Sequence, residues 1–320
     1  MGYTPNESCR FAEPLPLTLD PEAPTITAED LQNLCTGFGR SLDHVMPETR
    51  ATYIRALREF SRWHGGTHGF RFTVTDVQRY QRYLVEERKF ASVSVSTYLT
   101  ALRQFLAYLV RRGLLEQNPA TSIRGSERPV AHSRASLSDA DVQTLLAVIS
   151  QDHPLGTRDL GIVRLMLDCG LSEIEIVRSN VGDLMMTDEG QMLRVQGKGR
   201  RSKDAILSVP PIAYEAMVRY LSTRKSVLPE EPLFESAGNR TRGMRMTTRG
   251  IRDRVARYLA LAGITRGRDG RITPYSLRHT AGRVLADAGA TADEIQRRMR
   301  LGTAATAKLY LRAGHSSRQE

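Results

Sequence analysis

Along the first 120 residues, apolar positions recur with a helical period in four separate stretches. The first opens at a capping-box-like Thr27-x-x-Asp30. The second carries Tyr53, Leu57 and Phe60 and ends near Trp63 at a Gly65-Gly66 stop. A third begins at the box Thr75-x-x-Gln78, with Val77, Tyr80 and Leu84 on one face. The fourth runs from about Ser94, with Tyr98, Leu102, Phe105, Leu106 and Leu109 at i, i+4, i+7, i+8 and i+11, and is closed by Gly113 and Pro119. Short amphipathic helices gain stability mainly by packing their apolar faces together, so a compact all-helical domain is expected over 27–119.

The flanks of this block lose the period. Residues 1–26, with Pro5, Pro14, Pro16, Pro21 and Pro24, read as a flexible arm, and 120–136 reads as a polar, basic linker containing Arg124, Arg128 and Arg134. A second domain, 137–320, opens at the cap Ser138-x-x-Asp141 ahead of Val142, Leu145, Leu146 and Ile149. Within it, Met192–Val195 and Ala205–Val209 are short β-branched runs joined by Gly197-Lys198-Gly199-Arg200, which predicts a hairpin with a glycine-rich, basic tip. Helices resume at about Ile212, Thr248, Ser276 and Thr291, the last with the box Thr291-x-x-Glu294. The expected fold class is mainly α with one small antiparallel β-sheet.

Charge sharpens this picture. The 320-residue chain carries a net charge of +11, and between Arg240 and Arg271 there are ten arginines against only Asp253 and Asp269. A solvated helix normally mixes signs for i,i+4 pairing, so the single sign predicts a surface lying along a phosphate backbone. Arg249 and Arg252 in that cluster, Arg200 and Arg201 at the hairpin, and Arg124 and Arg128 in the linker are the expected DNA contacts. No run of eighteen apolar residues is present, so no membrane partner is expected, and the N-terminus lacks a signal-peptide pattern. The expected location is cytoplasmic and nucleoid-associated. Cys9, Cys35 and Cys169 have no ligand spacing, so no metal, cofactor or disulfide framework is expected.

Candidate chemistry lies near the end of the sequence, in TPYSLRHT from Thr273 to Thr280 and in an isolated Tyr310. Breaking a phosphodiester without a metal requires a nucleophile, donors for the growing charge on the non-bridging oxygens, and an acid for the departing 5′-oxygen. Tyr310, Arg278 and Lys198 match these needs in that order. Each alone is an ordinary surface or core residue; their order along the chain is what points to strand transfer.

Taken together, residues 27–315 resemble the phage-integrase type of tyrosine recombinase. The block ending in Asn118-Pro119 looks like that family's helical, SAM-like core-binding domain, and the remainder like its catalytic domain. Cys169-Gly-Leu-Ser-Glu-Ile-Glu-Ile176 with Asp183 resembles the first catalytic box, and Gly197-Lys198-Gly199 the hairpin lysine. Pro274-Tyr-Ser-Leu-Arg-His279 resembles the second box, and Thr306-Ala-Lys-Leu-Tyr310 the nucleophile segment. The resemblance implies a C-shaped clamp on double-stranded DNA and four protomers on two sites. It also implies exchange through 3′-phosphotyrosine intermediates and a Holliday junction, a segment Leu311 to Glu320 docking on a neighbour, and a second recombinase as an optional partner. Mobile-element integration is one of the roles such proteins take.

The pattern also departs from the family. Ser172 stands where the first catalytic arginine is expected, Tyr275 replaces a histidine, and the third-box histidine or tryptophan falls on Leu301 or Thr303. Ser172 and Tyr275 are still expected at the site as hydroxyl donors to phosphate. Arg178, Arg194, Arg200 and Arg201 are the candidates to fill the vacancy by proximity in sequence. Two readings stay open: an active recombinase with a substitute arginine, and an impaired relative that binds DNA as an accessory or regulatory subunit. A type IB topoisomerase uses similar chemistry, and the separate helical domain argues against it.

Overall fold

The structure is a computed structural model describing residues 26–65, 71–123, 125, 135–197, 199–267 and 270–316. The expected arm up to residue 25, together with Cys9, Arg124, Arg128, Arg134 and Lys198, lies outside the described residues. Two compact units are present, Met1–Arg128 and Pro129–Glu320.

Among its described residues the first unit holds four helices, α1 (Ala28–Ser41), α2 (Pro47–Gly65), α3 (Val74–Glu86) and α4 (Ser92–Arg111). α1 begins where Thr27 Oγ1 accepts the Asp30 N–H at 3.1 Å. α3 begins earlier than the expected Thr75 box. The Asp76 carboxylate accepts the N–H groups of Thr73 at 3.2 Å and Arg71 at 2.9 Å, so the box closes on Thr73-x-x-Asp76. α4 supplies the centre of the core: Val95, Leu99, Leu102, Phe105, Leu106 and Leu109 are fully buried against Phe38, Phe60, Tyr80 and Leu84. Each contributes about 1.5–3 kcal/mol by leaving water. Gly113, at φ 68°, ends the helix, and the Leu114 N–H closes back on Leu109 O at 3.0 Å.

The expected linker, 120–136, is described only at its ends. Ala120 and Ile123 are buried in the first core, where Arg103 donates to both of their carbonyls at 3.1 and 2.8 Å; Ala135 is buried in the second core. Satisfying those backbone carbonyls makes the segment part of the first unit.

In the second unit, α5 (Asp139–Ala147), α6 (Pro154–Asp168) and α7 (Glu173–Arg178) precede strands β1 (Leu184–Thr187), β2 (Gly190–Val195) and β3 (Ala205–Ser208). The sheet is antiparallel in the order β1-β2-β3, with Leu193 opposite both Leu184 and Leu207. The expected hairpin is β2–β3, and β1 is an additional strand. Next come α8 (Pro211–Leu221), α9 (Thr248–Leu261), a two-residue ribbon of β4 (Arg266–Gly267) and β5 (Gly270–Arg271), then α10 (Ser276–Asp287), α11 (Ala292–Arg298) and α12 (Ala304–Ser316). The segment after Tyr310, expected as a short tail, continues α12 to Ser316.

α6 is the axis of this unit and packs on α8, α9 and α10. It is buried on all sides, including the pair Arg158 and Asp159. Asp159 accepts from Arg158 at 2.7 Å, from Arg254 Nε at 2.7 Å and from the Tyr258 hydroxyl at 3.0 Å. The protein is thus mainly α with a small antiparallel sheet. Among the described residues no helix is long and apolar enough to cross a membrane.

Candidate active site

Arg278 lies in the first turn of α10, a position set by Leu277, which is fully buried, and by a Ser276 hydroxyl that accepts the Thr273 N–H at 3.0 Å. The guanidinium is itself buried. Nη1 donates to Gly170 O at 2.6 Å and to Glu175 Oε2 at 2.7 Å, Nη2 donates to Met299 O, and Nε is buried without a hydrogen-bond partner.

Glu175, on α7, organises the surroundings. Its Oε2 accepts the Ser172 N–H at 2.8 Å and the Ser172 hydroxyl at 2.7 Å, in the manner of a capping box. Arg300 Nε donates to Oε1 at 2.6 Å, and Arg300 Nη2 reaches Oε2 at 3.3 Å and Gly170 O at 3.1 Å. Burial alone would raise this carboxyl, but the Arg300 hydrogen bond and the charges of Arg278 and Arg300 outweigh it and hold it below its usual value. Ser172, expected as a hydroxyl donor to phosphate, gives its hydroxyl to Glu175 in this structure.

Arg300 reaches this cluster from the end of α11. It adopts φ 52°, while Arg300 N–H and Leu301 N–H close on Arg297 O at 3.1 Å and Gln296 O at 2.9 Å. This is the Schellman arrangement, whose left-handed residue is ordinarily glycine or asparagine; an arginine there costs about 1–2 kcal/mol. Gly170, at φ 60°, permits the close approach on the other side, since a Cβ there would lie 2.6 Å from Met299 Sδ.

Tyr310 projects from α12 against α10. Its Oη and His279 Nδ1 are 3.0 Å apart in a hydrogen bond, and only 4% of the residue is exposed. The ring rests on Gly282, where a Cβ would lie 2.4 Å from Cε1. Burial, with a smaller effect of Tyr275, pushes the phenol up to about 12, and Arg278 partly opposes this. Tyr275 sits edge-on to His279, with ring centroids 5.1 Å apart. Ser172, Tyr275, Arg278, Arg300 and Tyr310 line one open cleft of about 1780 Å³, and Arg200 and Arg252 line it as well.

The other expected contacts are placed as follows. Arg200 is exposed and 3.6 Å from Asp204, and Arg201 is also exposed. Arg249 is exposed beside Asp253 at 3.6 Å, and Arg252 is 3.5 Å from Glu173. The arginine cluster is less one-sided than its sequence implies. Arg254 is neutralised by Asp159, and Arg245 binds the Val177 and Ser179 carbonyls at 2.7 and 3.0 Å. Folding brings these acceptors from distant segments. Of the residues expected to fill the vacancy, Arg178 donates to Gly197 O at 3.2 Å and Arg194 to Asp183 at 3.2 Å, so both support the hairpin. Neither Leu301, half-buried, nor Thr303, bonded to Thr306 at 3.0 Å, brings an imidazole or indole to the cleft.

Residues 135–316 match the phage integrase family, and residues 40–116 match the phage integrase N-terminal SAM-like domain. The chain is 27% identical over 280 residues to tyrosine recombinase XerD of Pseudomonas aeruginosa, covering 85% of this chain and 89% of that one. It is 28% identical over 267 residues to tyrosine recombinase XerC of Alcanivorax borkumensis, covering 82% and 83%. Its fold is similar to XerH site-specific recombinase bound to a palindromic difH substrate, with TM-score 0.65, 14% identity and coverage of 92% and 84%. It is similarly close to the Tn1549 transposon integrase in complex with circular intermediate DNA, with TM-score 0.64, 17% identity and coverage of 90% and 99%. The family match spans more than half of the sequence and contains the whole Arg278–Glu175–Tyr310 cluster, so the chain belongs to the phage integrase family of tyrosine recombinases.

Proposed function

We propose that this protein cleaves and rejoins duplex DNA at specific sites, with Tyr310 as nucleophile and Arg278 as phosphate holder. The observation that carries this is the return of Tyr310, through α12, to the cleft that Arg278 also lines. As Tyr310 Oη bonds to phosphorus, the P–O5′ bond breaks. A 3′-phosphotyrosine forms and the 5′-oxygen takes up a proton. His279 Nδ1, 3.0 Å from the phenol, is in place to accept the phenolic proton. Lys198, outside the described residues, is assigned the proton delivered to the leaving oxygen, and Tyr275 a supporting hydroxyl. Attack by another strand's 5′-hydroxyl reverses the step and releases Tyr310.

In this reading Arg200, Arg201, Arg249, Arg252, Arg124 and Arg128 bind the duplex backbone. The DNA-bound state of similar folds supports duplex DNA as the partner. Four copies on two sites are the assembly; XerC and XerD relatives match about equally, so a second recombinase remains part of the proposal. A DNA-binding accessory protein would have no use for a tyrosine held beside a buried arginine. The test is a nicked duplex bearing the sequence that the protein selects from a random pool, run on a denaturing gel. A protein–DNA adduct is expected; specific binding with no adduct, even after a related recombinase is added, would assign the accessory role.

A further inference from the structure

We propose that Arg300 supplies the second guanidinium of the phosphate site, in the place that Ser172 leaves open. This rests on the strand-transfer reading above. Attack on a phosphodiester builds charge on two non-bridging oxygens, and one guanidinium fork covers only part of it. Arg278 and Arg300 share two acceptors, the Gly170 carbonyl and the Glu175 carboxylate. The two cations are therefore fixed side by side on one cleft wall.

The donors of Arg300 fit this role. Nε is spent on Glu175 Oε1, Nη2 on Glu175 Oε2 and Gly170 O, and Nη1 makes one bond, to Arg298 O at 2.6 Å. A guanidinium has five N–H donors, so one hydrogen on Nη1 is left for a ligand. The side chain is 9% exposed, largely withdrawn from water yet on the cleft wall. The backbone argues in the same direction, because φ 52° at the end of α11 favours glycine, and an arginine there is retained against local preference. The carboxylate that would orient a guanidinium from position 172 instead orients one arriving from position 300.

The experiment measures adduct formation on the selected nicked duplex with Arg300→Gly, whose backbone suits the positive φ. Its cleavage rate is expected to fall by roughly 100-fold or more with duplex binding little changed, while the melting temperature falls because Glu175 loses one of its two buried cations. Arg300→Lys, which keeps the charge without the fork, is expected to lie between the two. Ser172→Arg alone is expected to bring no gain, and Ser172→Arg in the Arg300→Gly background to restore much of the lost rate. A methylphosphonate at the scissile position removes one oxygen charge, so the deficit of both Arg300 variants is expected to shrink on that substrate. A merely structural role would leave the deficit equal on both substrates, and that equality, or full activity of Arg300→Gly, would overturn the proposal. An unaltered protein that forms no adduct at all would remove the strand-transfer reading first, and this inference with it.

Discussion

Tyr310 Oη lies 3.0 Å from His279 Nδ1, one residue beyond the arginine proposed to hold the phosphate, so the first turn of α10 presents both groups to the same cleft. The phenol is docked, buried and pushed up to about 12, mainly by its burial. In the strand-transfer proposal this is a resting arrangement: reaction requires the ring to meet phosphate and the phenolic proton to leave, with Arg278 already favouring the phenolate.

The dock itself can be perturbed at Gly282. A methyl group there would lie 2.4 Å from Tyr310 Cε1, so Gly282→Ala must push the ring away. Overpacking of this kind costs about 1–3 kcal/mol. A lowered melting temperature and faster nitration of Tyr310 by tetranitromethane are expected; unchanged nitration would mean that the ring does not rest on Gly282.

Arg278→Ala is expected to lower cleavage on the order of 100- to 1000-fold while duplex affinity changes far less. Equal losses in cleavage and binding, measured by adduct formation and by titration of labelled duplex, would reassign Arg278 to a backbone contact.

Glu175 links pH to stability. Its folded carboxyl is held below the ordinary value of 4.5, so unfolding takes up protons in acid. The contribution is fully present above that value and is lost as pH falls through the lower folded one. Glu175→Gln leaves Arg278 and Arg300 without their shared countercharge and is expected to cost about 3–5 kcal/mol at neutral pH. Its stability is also expected to depend less on pH in the acid range. Parallel acid-unfolding curves for the two proteins would contradict this.

Affinity for duplex DNA is expected to fall linearly with log salt, since Arg200, Arg201, Arg249 and Arg252 are exposed cations suited to phosphate. Each charge removed by Arg→Gln at one of these positions should reduce the slope by about one; slopes that stay the same would place those residues off the DNA.

Much of this was legible in the sequence. Helices with one apolar face, such as α4, announce themselves through periodicity, and the caps at Thr27, Ser138 and Thr291 are local hydrogen-bond chemistry. α6 is buried on every side and carries Arg158 and Asp159 inside the core, so no period marks it. β1 is four residues long and half-exposed, too short for alternation to register. Arg300 escaped for a different reason: the left-handed position that ends α11, ordinarily glycine, is filled by the arginine. Its meeting with Glu175, 125 positions earlier in the chain, is a tertiary fact. The signal that could have found it is a cation standing where α11 must end.

The most direct test of the central claim is to digest the adduct formed on the nicked duplex and locate the DNA-linked residue by mass spectrometry. The account predicts a single adduct at Tyr310, its Oη esterified to the DNA 3′-phosphate, and no adduct from Tyr310→Phe at duplex affinity close to that of the unaltered protein. An adduct that persists in Tyr310→Phe, or one mapped to any other side chain, would contradict it.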